Sequence, residues 1–158
     1  MYTSKDSFIQ EYEREGQLTL NCLKELTDES LQQAVTENDR TLGEIAWHIT
    51  QSAGGFASLT GETFEGARFT PDSAPDSAEE IADIYEKTYK SVLDSYQQTL
   101  TDANLLDEAD MFGTKMPKGA LLQAANLHQV HHRGQMTVLM RQADLHVPSI
   151  YGPSRDDK

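Results

Sequence analysis

Apolar residues recur at steps of three and four in four separate stretches of this chain, and they hardly ever alternate. That period belongs to the α-helix, so the fold open to the chain is helix packed on helix. The first stretch, Ser4 to Leu26, carries Phe8, Ile9, Tyr12, Gly16, Leu20, Leu23 and Leu26, with Ser4 placed to cap its start. Gly16 weakens this helix a little, but a small residue can mark a close helix approach. The second stretch opens on Thr41-Leu42-Gly43-Glu44, a capping box in which threonine and glutamate each satisfy an exposed backbone N–H. Leu42, Ile45, Ile49, Ser52 and Phe56 form its apolar face, and Gly54-Gly55 weaken its end. Ser77-Ala78-Glu79-Glu80 is a second box, opening a helix with Ile81, Ile84, Tyr85, Thr88, Val92, Leu93 and Tyr96 that runs to about Leu100. Pro117 suits the first turn of a fourth helix reaching about Ala143. Its face is Leu121, Ala125, His128, His132, Gln135 and Leu139, with Leu122, Met136 and Met140 beside it. Gly134 inside that helix costs roughly 1 kcal/mol against alanine, which calls for a packing or functional reason.

The connections are polar. Thr27 to Arg40 is turn-like around Leu31–Val35, and Met111 to Met116 suits a small turn or hairpin. Leu59 to Asp76 holds Gly61, Gly66, Pro71 and Pro75 and is long enough to run the length of a bundle. The tail from Asp144, with Pro148 and Pro153, is expected to be extended or looped. The expected class is therefore all-α, a four-helix bundle with long connections, forming one domain over residues 1–158.

An internal echo runs through this pattern. Leu26-Thr27-Asp28-Glu29-Ser30-Leu31 resembles Leu100-Thr101-Asp102-Ala103-Asn104-Leu105. Thr41-Leu42 precede His48 by the same steps as Leu121-Leu122 precede His128. Two helix pairs related by approximate symmetry, each presenting a histidine from its second helix, would produce this.

Charge and cysteine content narrow the function. A net charge of −13 disfavours both nucleic acid and an anionic membrane surface, because phosphate contacts need clustered Lys and Arg. No run of 18 apolar residues exists to span a bilayer, and residues 1–17 do not resemble a signal peptide. The single cysteine, Cys22, excludes an internal disulfide, fits a cytoplasmic setting, and reads as a core or helix-flank thiol.

The chemistry-bearing residues are histidines. His128 and His132 are four apart, about 40° around a helix and one turn of ~5.4 Å along it, so both can close on one ion. His48, beside the apolar stripe of the second helix, is the candidate third ligand. Neutral imidazoles suit zinc, nickel, copper or iron, so ligand type alone does not fix the metal, and zinc or nickel is the expectation. Three protein ligands leave positions open for water or substrate, the pattern of a reactive centre. The plainer alternative is three unrelated histidines, and spacing alone leaves the two about evenly matched. His131 makes a rival i, i+3 pair with His128 but falls at the edge of the seam, and His146 reads as a tail residue. Glu44, one turn before His48, is the weak candidate for a catalytic base, although its capping role is favoured. Arg133 and Gln135 flank the site. Arg133 can hold a substrate carboxylate, though an exposed surface arginine is the commoner case. Trp47, Met136 and Met140 read as core before pocket.

At these residues the sequence resembles the DinB-like (DinB/YfiT) family of bacterial metalloproteins. The resemblance rests on Leu42-Gly43-Glu44-Ile45-Ala46-Trp47-His48-Ile49, on His128-Gln129-Val130-His131-His132-Arg133-Gly134-Gln135-Met136, and on the tail Val147-Pro148-Ser149-Ile150-Tyr151-Gly152-Pro153-Ser154. It implies an up-down-down-up four-helix bundle, commonly a homodimer, with a divalent metal on His48, His128 and His132. It also implies a small-molecule substrate. The foremost expectation is a metal-dependent S-transferase using a bacillithiol-like low-molecular-weight thiol. The alternatives are a metal-dependent hydrolase that activates water and a non-enzymatic stress-response metal-binding protein.

Overall fold

The computed structural model describes residues 1–157 and contains four helices and one small hairpin. The helices are α1 (Lys5–Leu23), α2 (Leu42–Leu59), α3 (Ala78–Thr99) and α4 (Lys118–Gln142). The strands β1 (Glu108–Met111) and β2 (Thr114–Pro117) pair antiparallel, Glu108 opposite Pro117 and Met111 opposite Thr114. The hairpin adds a small sheet to an otherwise helical chain. Its turn, Phe112-Gly113, takes φ of 53° and 90°, so glycine relieves the second position of a tight turn that requires left-handed backbone.

Helix starts follow local chemistry. Ser4 Oγ accepts from Ser7 N (3.3 Å). At α2 the capping box is complete: Thr41 N donates to Glu44 Oε2 (2.7 Å), and Glu44 N donates to Thr41 Oγ1 (3.2 Å). At α3 half of the expected box forms, Glu80 N donating to Ser77 Oγ (3.3 Å). Pro117 ends β2 and caps α4 instead of lying in its first turn.

The internal echo is structural. Thr27 N donates to Ser30 Oγ and Ser30 N donates back to Thr27 Oγ1; Thr101 and Asn104 exchange the same two bonds. Asp28 Oδ1 then accepts from Ala78 N, the first residue of α3 (2.8 Å), and Asp102 Oδ1 from Lys5 N, the first of α1 (2.7 Å). Each half thus caps the opening helix of the other with an aspartate, which favours the positive end of the helix dipole. Helix α2 packs against α3 and α4, and α1 does the same.

The main core joins Phe8, Leu20, Leu23, Ile49, Ile81, Tyr85, Val92, Tyr96, Leu122 and Met136. Met136 and Met140 are wholly buried, and Cys22 is a core residue whose thiol burial pushes up to about 11. A smaller cluster of Phe56, Ala109 and Leu121 seats the hairpin against α2 and α4.

Gly16 is the expected close approach: a Cβ there would lie 2.0 Å from the Tyr89 ring. Gly54 does not weaken the end of α2, which runs on to Leu59. It instead lets the 60–77 connection touch the helix, since a Cβ would meet Ala67 O at 1.9 Å and the Phe64 ring at 2.6 Å. Helix propensity favours alanine over glycine by about 1 kcal/mol, yet a backbone oxygen cannot swing aside. Gly54→Ala is therefore expected to destabilise by about 2 kcal/mol in urea unfolding. An unchanged or higher midpoint would show that the connection yields. Gly134 has open space around its missing Cβ and is exposed, so no packing within the chain calls for glycine there.

Candidate metal centre

Helix α2 carries His48 and α4 carries His128 and His132, and the packing of the two helices brings the three rings together. One nitrogen from each lies within 4.8 Å of the others. His48 Nε2 and His128 Nε2 are 3.1 Å apart. The ring centroids are 4.9 Å apart for His48 and His128, 4.6 Å for His48 and His132, and 4.4 Å for His128 and His132. All three are partly buried. The 3.1 Å separation suits two nitrogens on one ion, because tetrahedral sites hold imidazole nitrogen at about 2.0–2.1 Å from the metal.

Each ring has a different support. His132 Nδ1 lies 2.7 Å from Gln135 Oε1, so a proton on Nδ1 is held there and Nε2 keeps its lone pair for the cluster. This is a specific task for Gln135, which is exposed and not on the buried face expected of it. His128 packs edge-on against Phe56 at 5.3 Å. Its Nδ1 is buried without a partner. Ser52 Oγ bonds the His48 carbonyl (2.6 Å) one turn on, within the helix that carries that ligand.

The electrostatics favour neutral imidazole. Burial, then the neighbouring His132 and Arg40, pushes His48 down to about 4. Burial followed by the other histidines does the same to His128, also to about 4, and burial lowers His132. Neutral nitrogens are what a metal needs, so this donor set fits a divalent ion. The sign of the pH effect follows. An unfolded histidine protonates near 6.5, whereas His48 and His128 in the fold resist until about 4. The unfolded chain therefore binds more protons in that window. Stability present above about pH 6.5 is lost progressively as pH falls toward 4. Metal-stripped protein should show a lower urea midpoint at pH 5.5 than at pH 7.5, and His48→Gln should flatten that slope. Equal midpoints would contradict the assignment.

Other residues fall elsewhere. His131 is exposed, its ring edge-on to His132 at 4.8 Å, outside the cluster. His146 pairs with Glu25 at 3.2 Å. The Glu44 carboxylate is tied into the helix cap. Trp47 is half-buried, and its indole N–H donates to Asp72 O at 3.1 Å. It lies both against the core and on a cleft beside His48.

Arg133 corrects both readings offered for it. It is neither exposed nor near a substrate position, being 1% exposed and turned into α1. Its Nη2 donates to Glu15 Oε2 and to Tyr151 Oη, each at 2.5 Å. Its Nη1 donates to Glu15 O (3.0 Å) and Thr19 Oγ1 (3.2 Å). Tyr151 in turn donates to Glu15 Oε2 at 2.6 Å, which fastens the tail to the helices. Burial raises the Glu15 pKa, but hydrogen bonds from Tyr151, Arg133 and Arg14 outweigh it and keep the carboxyl below its ordinary value. Two further residues escaped the sequence reading. Tyr85 donates to Gln129 Oε1 on α4, one residue from His128. Arg40 lines the two clefts beside the cluster, and a cation directly before a capping box in so acidic a chain was the available signal.

Among the described residues no helix is long and apolar enough to cross a membrane. The family model of the DinB family matches residues 1–158. The uncharacterized protein YrdA of Bacillus subtilis (strain 168) is 42% identical over 157 residues, covering 99% of this chain and 93% of that protein. YjoA of the same organism is 29% identical over 109 residues, covering 67% and 69%. A solved DinB-like protein from Bacillus cereus ATCC 10987 superposes with a TM-score of 0.91 at 42% identity, covering 96% of this chain and all of that one. The solved structure of YjoA, at 22% identity over 87% of this chain and 92% of its own, shares the fold with a TM-score of 0.70.

Proposed function

The chain belongs to the DinB family, and from that premise we propose that it is a divalent-metal protein that transfers a low-molecular-weight thiol to a small electrophile. The observation that carries the metal is the meeting of nitrogens from His48, His128 and His132 within 4.8 Å. A bound zinc or nickel ion would supply Lewis acidity, favouring the deprotonated form of a substrate sulfur.

The surroundings support transfer over hydrolysis. Two clefts reach the cluster. One, about 400 Å³, is lined by Thr41, Glu44, Trp47, His48 and Asp72. The other, about 530 Å³, is lined by Arg40, Ile45, His132, Val138 and Leu139. Separate access to two ligands of one centre suits a reaction with two substrates. Glu44, one turn before His48, is held in the cap and poorly placed as a base. In the reaction the thiol gives its proton to solvent and its sulfur forms a new S–C bond. As that bond forms, either the carbon–halogen bond breaks and halide leaves, or an epoxide C–O bond breaks and its oxygen takes up a proton from solvent. The histidines hold the centre, Gln135 fixes the His132 proton on Nδ1, and Phe56 keeps water from one face of His128.

Metal-loaded protein incubated with bacillithiol or glutathione and a chlorinated or epoxide acceptor should form the thioether only when both metal and thiol are present. Thioether formation no faster than in buffer would overturn the proposal. Conversion of a test amide without any thiol would move the assignment to hydrolysis.

A further inference from the structure

We propose that the cleft beside His132 selects substrates bearing an anionic group on an apolar body, with Arg40 as the anion clamp. This names a substrate class for the reading above and rests on it for the reacting end of the molecule.

Three observations on the cleft converge. Its walls are aliphatic: Val35, Ile45, Val138 and Leu139 line it together with Arg40 and His132. Val35 and Val138 are 62% and 54% exposed, so the apolar lining reaches solvent at the mouth. Among the described residues, Arg40 makes no hydrogen bond and no ion pair. An unpaired guanidinium is unexpected in a chain of net charge −13. Asp39 also lines this cleft, but it makes no ion pair with Arg40 and accepts instead from Thr36 Oγ1 at 2.8 Å. Gln135, also in the cleft, is bound to His132. Arg40 is therefore the cation of this lining without a partner, and a guanidinium binds carboxylate through two parallel N–H bonds. It lines both the cleft that holds His48 and the cleft that holds His132, so it stands on the access side of the centre.

The other cleft is more acidic. Glu44, Asp72 and Asp76 line it, against Asp39 alone on the His132 side, so an anion is less favoured there although Arg40 lines it too. The two access routes thereby sort ligands by charge. An anion with a hydrocarbon body is directed to the His132 side, its charged end on Arg40 and its other end toward the cluster.

The test uses zinc-loaded protein and three probes: 6-mercaptohexanoate, 6-mercaptohexanol and heptanoate. Calorimetric titration should show the mercaptohexanoate binding about tenfold more tightly than the alcohol, the scale of one charge-assisted contact. Arg40→Gln should abolish that preference and leave affinity for the alcohol unchanged, while Arg40→Lys should keep part of it. Because Arg40 is exposed and unpaired, the thermal midpoint of Arg40→Gln should match the parent. Equal affinities in the parent, or a preference that survives Arg40→Gln, would overturn the clamp. Heptanoate separates the two proposals. If it binds as tightly as mercaptohexanoate, and does so through Arg40, the clamp stands while the thiol reading falls.

Discussion

His132→Ala is expected to fold normally and to lose its metal. The imidazole is partly buried and bonded to Gln135 alone, so its removal costs the fold little, within about 1 kcal/mol. The effect on the ion is far larger. Loss of a group that merely supports a ligand lowers metal affinity by about 10–100-fold, and loss of the ligand itself should exceed that range. Elemental analysis of untagged protein should show metal falling from stoichiometric to background in His132→Ala and likewise in His48→Ala. His131→Ala is the control. It lies outside the cluster, so metal content should not change. If His132→Ala keeps its ion while His131→Ala loses it, the chelating pair is the i, i+3 one and the centre has been misassigned.

Arg133→Ala, one residue along, should have the opposite profile. Its guanidinium is almost wholly buried against Glu15, also buried, and removing it leaves that carboxylate with only the largely exposed Arg14 and the Tyr151 hydroxyl as partners. Breaking such a pair costs about 3–5 kcal/mol. For a chain of this length that lowers the thermal midpoint by roughly 10 °C. Arg14 compensates only in part, since it reaches the other carboxylate oxygen from solvent, and Tyr151 donates one hydrogen bond and no charge. Replacing both partners with apolar residues, Arg133→Met with Glu15→Leu, should recover much of the loss, since no buried charge is then left alone. A single variant as stable as the parent would mean that Arg14 or water satisfies Glu15 unaided. Metal binding by any folded Arg133→Ala should persist, because the side chain points away from the histidines.

The difference between these neighbours shows what the sequence could reveal. Helix positions, caps and the histidine seam depend on residues three or four apart, and so they were legible. The echo between residues 26–31 and 100–105 was legible too, because each copy builds the same local turn. Arg133 was misread because its fate is decided by Glu15, 118 residues away, and by Tyr151 in a tail without periodicity. Pairing of that kind leaves no local pattern. The core stripe of α4 consequently runs through Leu122, Arg133, Met136 and Met140, while Leu121, Ala125 and the histidines face α2 and the hairpin. Arg40 was overlooked for a related reason. It sits in a polar turn, where exposure is the default, and only the folded neighbourhood shows that no carboxylate claims it. Gln135 was placed beside the site correctly, but its role depends on a ring rotamer that spacing cannot specify.

His48 and His128 stand 80 residues apart in the chain. An ion shared between them would act as a covalent-like tie, turning the segment from α2 to α4 into a ring that contains all of α3 and the hairpin. Such a tie holds the α2–α4 seam shut but places no direct restraint on α3 leaving and rejoining its neighbours. Partial openings of the molecule would then fall into two kinds, those the ion forbids and those it ignores. Amide exchange in α3 would be the place to see the second kind on its own.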